Sequence, residues 1–144
     1  MTHVAVLFGG FSAEREVSLS TGRQVASALR EAGFTVTPIE VTQDLPALIA
    51  ALQAAKPDVV FNALHGRFGE DGCVQGVLDW LGIPYTHSGV RASALAMDKA
   101  AAKAVFAAHG LPLAEHRVVT PAQLEEADPL PRPYVGKPVN EGSS

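Results

Sequence analysis

The chain has 144 residues, a formal net charge of −4 and a single cysteine, so we expect one domain or two small lobes and no intrachain disulfide. Hydrophobic residues make up 47% and charged residues 18%, which excludes bulk disorder. The scattered Lys and Arg residues argue against nucleic-acid binding. Apolar runs fall short of the ~20 residues that cross a bilayer, and no leader is recognisable, so we predict no membrane span and a cytoplasmic location.

Strands and helices alternate in the first two thirds of the chain. A buried strand over residues 4–8 is followed by a helix over about 17–32, a strand over 35–41, a helix over 45–55, a buried run over 59–64, a helix over 73–81 and a short edge strand over 83–86. Short connections favour right-handed crossovers. The pattern therefore predicts an α/β fold with a doubly wound, Rossmann-like parallel sheet whose ligands bind at the carboxyl ends of the strands.

An alanine-rich region begins near residue 91, and we place a boundary near Met97 that separates a domain over 1–96 from a second over 97–144. In the second we expect a helix over 98–108, strands over 113–119 and 134–137, and a short helix after Thr120, where Pro121 and Gln123 complete a capping pattern. A final strand without a partner leaves backbone groups unpaired, which predicts that the chain is a piece of a longer protein.

The turn after the first strand is the first candidate site. Gly9-Gly10 could approach a pyrophosphate, with Glu40 as a ribose-binding acid, as in a nucleotide-binding oxidoreductase domain. No G-x-G-x-x-G is present, however, and Glu14 at the start of a helix would repel phosphate. A carboxylate there suits the ammonium group of an amino acid, or it only complements the helix dipole.

The segment 65–72 is the second candidate site, because glycine-rich loops bring backbone N–H groups close to anions. His65 could meet a carboxylate or phosphate of a ligand, or could satisfy a carbonyl at the end of the strand. We expect Glu70 and Asp71 mostly to cap the helix that begins at Cys73. A metal site built from His65, Glu70, Asp71, Cys73 and His87 lacks a recognisable ligand spacing. Ser88 lacks the G-x-S-x-G context of a serine hydrolase.

Lys99 and Lys137 are candidate phosphate-binding residues, although lone lysines are usually solvated surface. Lys137-Pro138 followed by Gly142-Ser143-Ser144 is the more specific pattern. A non-enzymatic folded module that seeks a partner strand is a further alternative.

Several motifs occur in one order along the whole chain. They are Leu7-Phe8-Gly9-Gly10, residues 12–18 (SAEREVS), Ala63-Leu64-His65-Gly66 with Gly69-Glu70-Asp71-Gly72, Ser88-Gly89-Val90, Ala96-Met97-Asp98-Lys99, and Lys137-Pro138 with residues 141–144 (EGSS). Together they closely resemble the D-alanine–D-alanine ligase family. That resemblance implies a parallel α/β domain followed by an ATP-grasp fold, of which this chain carries only the beginning.

The resemblance also implies an activity: ATP-dependent joining of two D-alanines through an acyl phosphate, for peptidoglycan synthesis. It implies that Glu14 binds the ammonium of the first D-alanine and that His65 lies beside its carboxylate. Ser143 would join Glu14 in a network completed by a tyrosine beyond residue 144.

For the nucleotide, the resemblance implies that Lys99 and Lys137 approach the ATP phosphates and that Gly142, Ser143 and Ser144 begin a phosphate-covering loop. Mg²⁺ or Mn²⁺ is implied as cofactor, with its ligands beyond residue 144 and none within this chain. A homodimer is also implied. His87 and Gly136 depart from the residues common in the family, which affects local backbone shape more than chemistry.

Overall fold

The computed structural model describes residues 1–141. Its described elements are β1 (His3–Gly9), α1 (Arg15–Glu31), β2 (Thr35–Val41), α2 (Leu45–Ala55), β3 (Val59–Asn62), α3 (Cys73–Leu81), α4 (Val90–Met97), α5 (Lys99–Ala108) and α6 (Pro121–Glu126). Within this part of the chain, no helix is both long and apolar enough to cross a membrane.

The three strands form a parallel sheet in the order β2-β1-β3. The central strand β1 is buried on both faces because its apolar side chains alternate between two cores. Ala5 and Leu7 pack with residues of α2 and α3, whereas Val4 and Val6 pack with α1. Helices therefore cover both faces, which confirms the predicted parallel sheet wound in two directions around β1.

One proline and one glycine explain how β2 pairs in this sheet and how closely α1 packs on it. Pro38 of β2 lies opposite Val6 of β1. Among the described residues β2 pairs only with β1, so the proline, which lacks an N–H, lies on an edge strand. Gly22 of α1 lies against Phe8 of β1, where a Cβ would come within 2.2 Å of the Phe8 Cβ. The absence of a side chain at residue 22 lets α1 pack closely on the sheet.

The sheet ends differently from the prediction at two places. β3 stops at Asn62, two residues early, because the Asn62 Oδ1 accepts a hydrogen bond from the Leu64 N–H at 3.1 Å and turns the chain. The predicted edge strand over 83–86 is reduced to one isolated bridge between Val60 and Tyr85. Pro84 has no N–H to donate, so its part in this pairing is limited to its carbonyl, which accepts a hydrogen bond from the Val60 N–H.

The predicted strands over 113–119 and 134–137 are wrong, since neither segment is paired with another strand in the described part of the chain. Val118 and Val135 are 62% and 79% exposed. Favourable strand composition needs a neighbouring strand for its backbone groups, and no described residue supplies one. The capping box at Thr120 and Gln123 is confirmed. From residue 94 to residue 141 no residue is buried.

Candidate functional site

Two loops meet at the carboxyl edge of the sheet, one after β1 and one after β3. Ser18 of α1 joins them: its fully buried Oγ accepts a hydrogen bond from the Gly9 N–H at 2.9 Å and donates to the Ala63 carbonyl at 2.6 Å. Ser12 adds a second link by donating to the His65 carbonyl at 2.8 Å. The start of α1 is thereby held beside the loop that begins at His65.

Glu14 occupies the N-cap position of α1, but its side chain makes no capping hydrogen bond. It points toward the second loop, because a Cβ built on Gly66 would lie 2.6 Å from the Glu14 Oε2. Gly66 has a φ of +70°, a backbone conformation that favours glycine. Glu14 is half-buried and forms no ion pair within residues 1–141. This carboxylate is free to meet a cationic group of a ligand.

His65 follows β3 and lies across the loop from α1. Its Nε2 lies 3.3 Å from the Thr21 Oγ1, one and a half helical turns beyond the start of α1. The ring is half-buried and lines two cavities at the edge of the sheet. The structure therefore brings an imidazole and the Glu14 carboxylate to the same pair of loops, as the sequence predicted.

Glu70 and Asp71 have separate structural roles. The Asp71 carboxylate accepts hydrogen bonds from the N–H of Cys73, the first residue of α3, and from the N–H of Phe68. Partial burial acts to raise the pKa of Asp71, but these backbone hydrogen bonds outweigh it and hold the pKa below its ordinary value. Glu70 does not cap α3, contrary to the prediction. Its Oε2 instead accepts from the Gly66 N–H at 2.6 Å and closes the loop.

Cys73 is exposed, yet its thiol is partly desolvated beside the Asp71 carboxylate. Desolvation, together with the hydrogen bond and negative charge of Asp71, raises the pKa of Cys73. A thiol with a raised pKa is a poor nucleophile at neutral pH. This cysteine therefore contributes no activated sulfur to the site.

Both cavities adjoin the loop after β3, since Leu64, His65 and Gly69 line each of them. One, of about 470 Å³, has polar lining residues that include His65, Glu70 and Gln75. The other, of about 390 Å³, is mostly apolar and contains the packed rings of Phe11 and Phe68. Concave sites with a few converging polar groups are where small ligands bind.

Glu40 does not provide a free acid at the end of β2. Its carboxylate forms an ion pair with the Arg15 guanidinium, which also donates to the Gly10 carbonyl at 2.9 Å. A ribose-binding acid would need its carboxylate available for hydroxyl groups. This pairing argues against the oxidoreductase alternative.

The predicted nucleotide residues lie farther along the chain. The Lys99 Nζ donates to the Glu141 carbonyl at 2.6 Å, and the Lys99 N–H donates to the Val139 carbonyl. Lys137 is exposed. No hydrogen bond within residues 1–141 joins either lysine to Glu14 or His65. Gly142, Ser143 and Ser144 lie outside the described residues.

Sequence reasoning overlooked two buried amides behind the second loop. Asn62 and Gln75 are 3% and 2% exposed, and both donate to the Gly69 carbonyl. Asn62 is a polar residue within the buried run predicted over 59–64. A lone amide inside a buried strand was the available signal, because such a group must find hydrogen-bond partners.

The fold and the site together define an α/β domain that carries a carboxylate and an imidazole at the carboxyl edge of a parallel sheet, the edge at which ligands of such sheets bind. The family model described as "D-ala D-ala ligase N-terminus" matches residues 3–49 and 44–88. The chain belongs to that family.

Comparison with individual proteins agrees with the family. The chain is 74% identical over 144 residues to a D-alanine–D-alanine ligase from Acidiphilium cryptum, covering 100% of this chain and 48% of that relative. A crystal structure of the D-alanine–D-alanine ligase from Bacillus anthracis matches with a TM-score of 0.77 and 33% identity, over 100% of this chain and 47% of that one. The same enzyme complexed with ATP matches with a TM-score of 0.68 and 36% identity, over 76% and 38%. The chain spans about half the length of these relatives.

Proposed function

We propose that this chain forms the N-terminal part of an ATP-dependent D-alanine–D-alanine ligase, which makes the dipeptide used in peptidoglycan precursors. Family membership and the names of its relatives support this proposal. The observation that carries it is the Glu14 carboxylate, which lies against Gly66 without an ion pair in residues 1–141 and next to the loop of His65.

The charges at this edge of the sheet suit a free amino acid. At neutral pH such a ligand carries an ammonium and a carboxylate. Glu14 would form a charge-assisted hydrogen bond with the ammonium, while the His65 imidazole would lie at the carboxylate end.

The proposed reaction has two steps. A carboxylate oxygen of the first D-alanine bonds to the γ-phosphorus of ATP as the bond to the ADP oxygen breaks, which gives an acyl phosphate and ADP. The amine of the second D-alanine then attacks the acyl carbon, loses a proton and expels phosphate. In both steps the residues of this chain would bind and orient the first substrate.

We assign the phosphate end of the nucleotide to Lys99, Lys137 and the segment of Gly142, Ser143 and Ser144, with Ser143 also joining Glu14. The contact of the Lys99 ammonium with the Glu141 carbonyl supports this assignment, because it brings the lysine next to the residue that precedes this segment. Residues 97–144 would then form the opening of the ATP-grasp lobe, and residues 1–96 the substrate-binding domain.

The cofactor and assembly are also part of the proposal. Within residues 1–141, no group of three or more His, Cys, Asp or Glu side chains could hold a metal ion. We assign the ligands of Mg²⁺ or Mn²⁺ to the part of the longer ligase beyond residue 144. A homodimer and a cytoplasmic location remain predictions.

The test is Glu14→Gln in the full-length ligase. We expect the KM for the first D-alanine to rise about 10- to 150-fold, the equivalent of losing a hydrogen bond to a charged group. The KM for ATP should change less than about twofold, since in this proposal the ligand group that Glu14 contacts is the ammonium of the amino acid and not a phosphate. Steady-state assays of ADP release at varied D-alanine and ATP measure both values.

Glu16→Gln is the matched control, because Glu16 is an exposed acid in the same first turn of α1. It removes the same charge from the helix start and should leave both KM values unchanged. An unaltered D-alanine KM in Glu14→Gln would contradict the proposed role of Glu14.

A further inference from the structure

Asn62 is a buried residue whose four polar groups are all used to organise the loop after β3. Its Nδ2 donates to the Gly69 carbonyl at 2.8 Å, and its Oδ1 accepts from the Leu64 N–H at 3.1 Å. Its backbone N–H donates to the Thr86 Oγ1 at 3.1 Å, and its carbonyl lies 3.0 Å from the His87 Nε2. The end of β3 is therefore joined both to its own loop and to the segment before α4.

Gln75 of α3 reaches the same loop from the other side. Its Nε2 donates to the Gly69 carbonyl at 2.9 Å, so that carbonyl accepts from two buried amides. Gly69 also fits closely, because a Cβ there would lie 2.4 Å from the Leu64 Cβ. The Gln75 Oε1 is buried and has no hydrogen-bond partner among the described residues. The contact that Gln75 makes with the loop is thus that of its Nε2 alone.

Gly69 belongs to a turn over residues 66–70 that is closed by hydrogen bonds. The N–H groups of Gly69 and Glu70 both donate to the Gly66 carbonyl, and the Gly66 N–H donates to the Glu70 Oε2. Fixing the Gly69 carbonyl therefore fixes Gly66, against which Glu14 lies, and the adjacent His65.

We propose that Asn62 and Gln75 are positioning residues: through the Gly69 carbonyl they set the distance between His65 and Glu14, and hence the affinity for the first D-alanine. This inference rests on the proposed ligase function. Both amides line the cavity of about 470 Å³, and they act on the substrate through the closed turn from Gly66 to Glu70, because each donates to the Gly69 carbonyl.

Gln75→Met in the full-length ligase tests the proposal. Methionine has a similar length and volume, removes one of the two donors to Gly69, and also removes the unpaired Oε1. Loss of the hydrogen bond destabilises the protein, whereas removal of the unpaired buried Oε1 stabilises it. Because the two effects offset each other, the melting temperature should stay within about 3 °C of the wild-type value. If Gln75 had a merely structural role, its substitution would lower the melting temperature.

Two readouts report on the loop and on the substrate. Amide hydrogen exchange over residues 65–70 should become about fivefold faster, the factor expected for one lost neutral hydrogen bond, while exchange in β1 stays unchanged. The KM for the first D-alanine should rise by a similar factor, with the KM for ATP within about twofold. Leu78→Met is the control, since Leu78 is buried on α3 but packs in the apolar core. It should change neither readout.

Faster loop exchange with a selective rise in the D-alanine KM supports the proposal. Unchanged loop exchange, an unchanged D-alanine KM, equal changes in both KM values, or loss of folding in Gln75→Met each overturns it. A wild-type ligase without D-alanine-dependent ADP release would instead contradict the proposed function, so the two failures are distinguishable.

Discussion

The close packing of α1 on β1 predicts that Gly22→Ala destabilises the protein although alanine is the better helix former. A Cβ on residue 22 would lie 2.2 Å from the Phe8 Cβ and 2.5 Å from its Cγ. Carbon atoms in contact are normally about 3.5 to 4.0 Å apart. The Phe8 Cβ is fixed to the backbone and cannot rotate away, so helix and strand must separate by about 1 Å or more.

The expected effect is the difference between two opposing terms. Alanine in place of glycine gains about 1 kcal/mol of helix propensity. Overpacking costs about 1 to 3 kcal/mol, and separation of α1 from β1 also stretches the buried hydrogen bonds of Ser18. We expect a net loss of about 1 to 2 kcal/mol in the free energy of unfolding. The same shift moves Glu14 away from Gly66 and should raise the D-alanine KM of the full-length ligase.

Gly76→Ala is the matched control, because Gly76 is also inside a helix but its nearest neighbour to an added Cβ, the Val90 Cγ2, is 3.9 Å away. There alanine should stabilise the protein by about 0.5 to 1 kcal/mol. Urea unfolding followed by circular dichroism measures both; Trp80 is 90% exposed and is a poor fluorescence reporter. If both substitutions shift the midpoint in the same direction, the packing argument is refuted.

Three further substitutions test polar contacts at the site. Ser18→Ala leaves the Gly9 N–H and a buried carbonyl unpaired and should cost about 2 to 4 kcal/mol in urea unfolding; a loss below 1 kcal/mol would contradict that role. Arg15→Met removes a half-exposed ion pair with Glu40 and should change the free energy of unfolding by less than about 1 kcal/mol. The part of the salt dependence of stability that comes from this ion pair should disappear in the variant. The hydrogen bonds that depress the pKa of Asp71 stabilise the folded state above the unfolded-state pKa of this carboxyl, and this stability is lost as pH falls through the folded-state pKa. Asp71→Asn removes this titration, so the free energy of unfolding should depend less on pH in the acid range. The same substitution removes the charge that raises the Cys73 pKa, and the pH profile of thiol alkylation should shift to lower pH.

Residues with short-range signals were placed correctly from the sequence. The apolar run of β1, the helix that follows Glu14 and the capping box at Thr120 depend on neighbours within a few residues. The sequence also predicted a ligand site at the carboxyl ends of the strands, and both candidate loops lie at that edge of the sheet. Asp71 as a helix cap belongs to the same class of local interaction.

The composition and periodicity of the chain by themselves determined a parallel α/β fold and a carboxylate and an imidazole at one edge of the sheet. Only the tertiary structure decided that the segments 113–119 and 134–137 are not strands, that Glu70 closes its own loop, and that Asn62 and Gln75 share the Gly69 carbonyl. For the strands the physical reason is range, since a strand needs backbone partners that lie far along the chain. The partners of Glu70, Asn62 and Gln75 lie only 4, 7 and 6 residues away, but the folded path of the loop decides which backbone group each side chain meets. Their partners are set by packing, which local sequence does not specify.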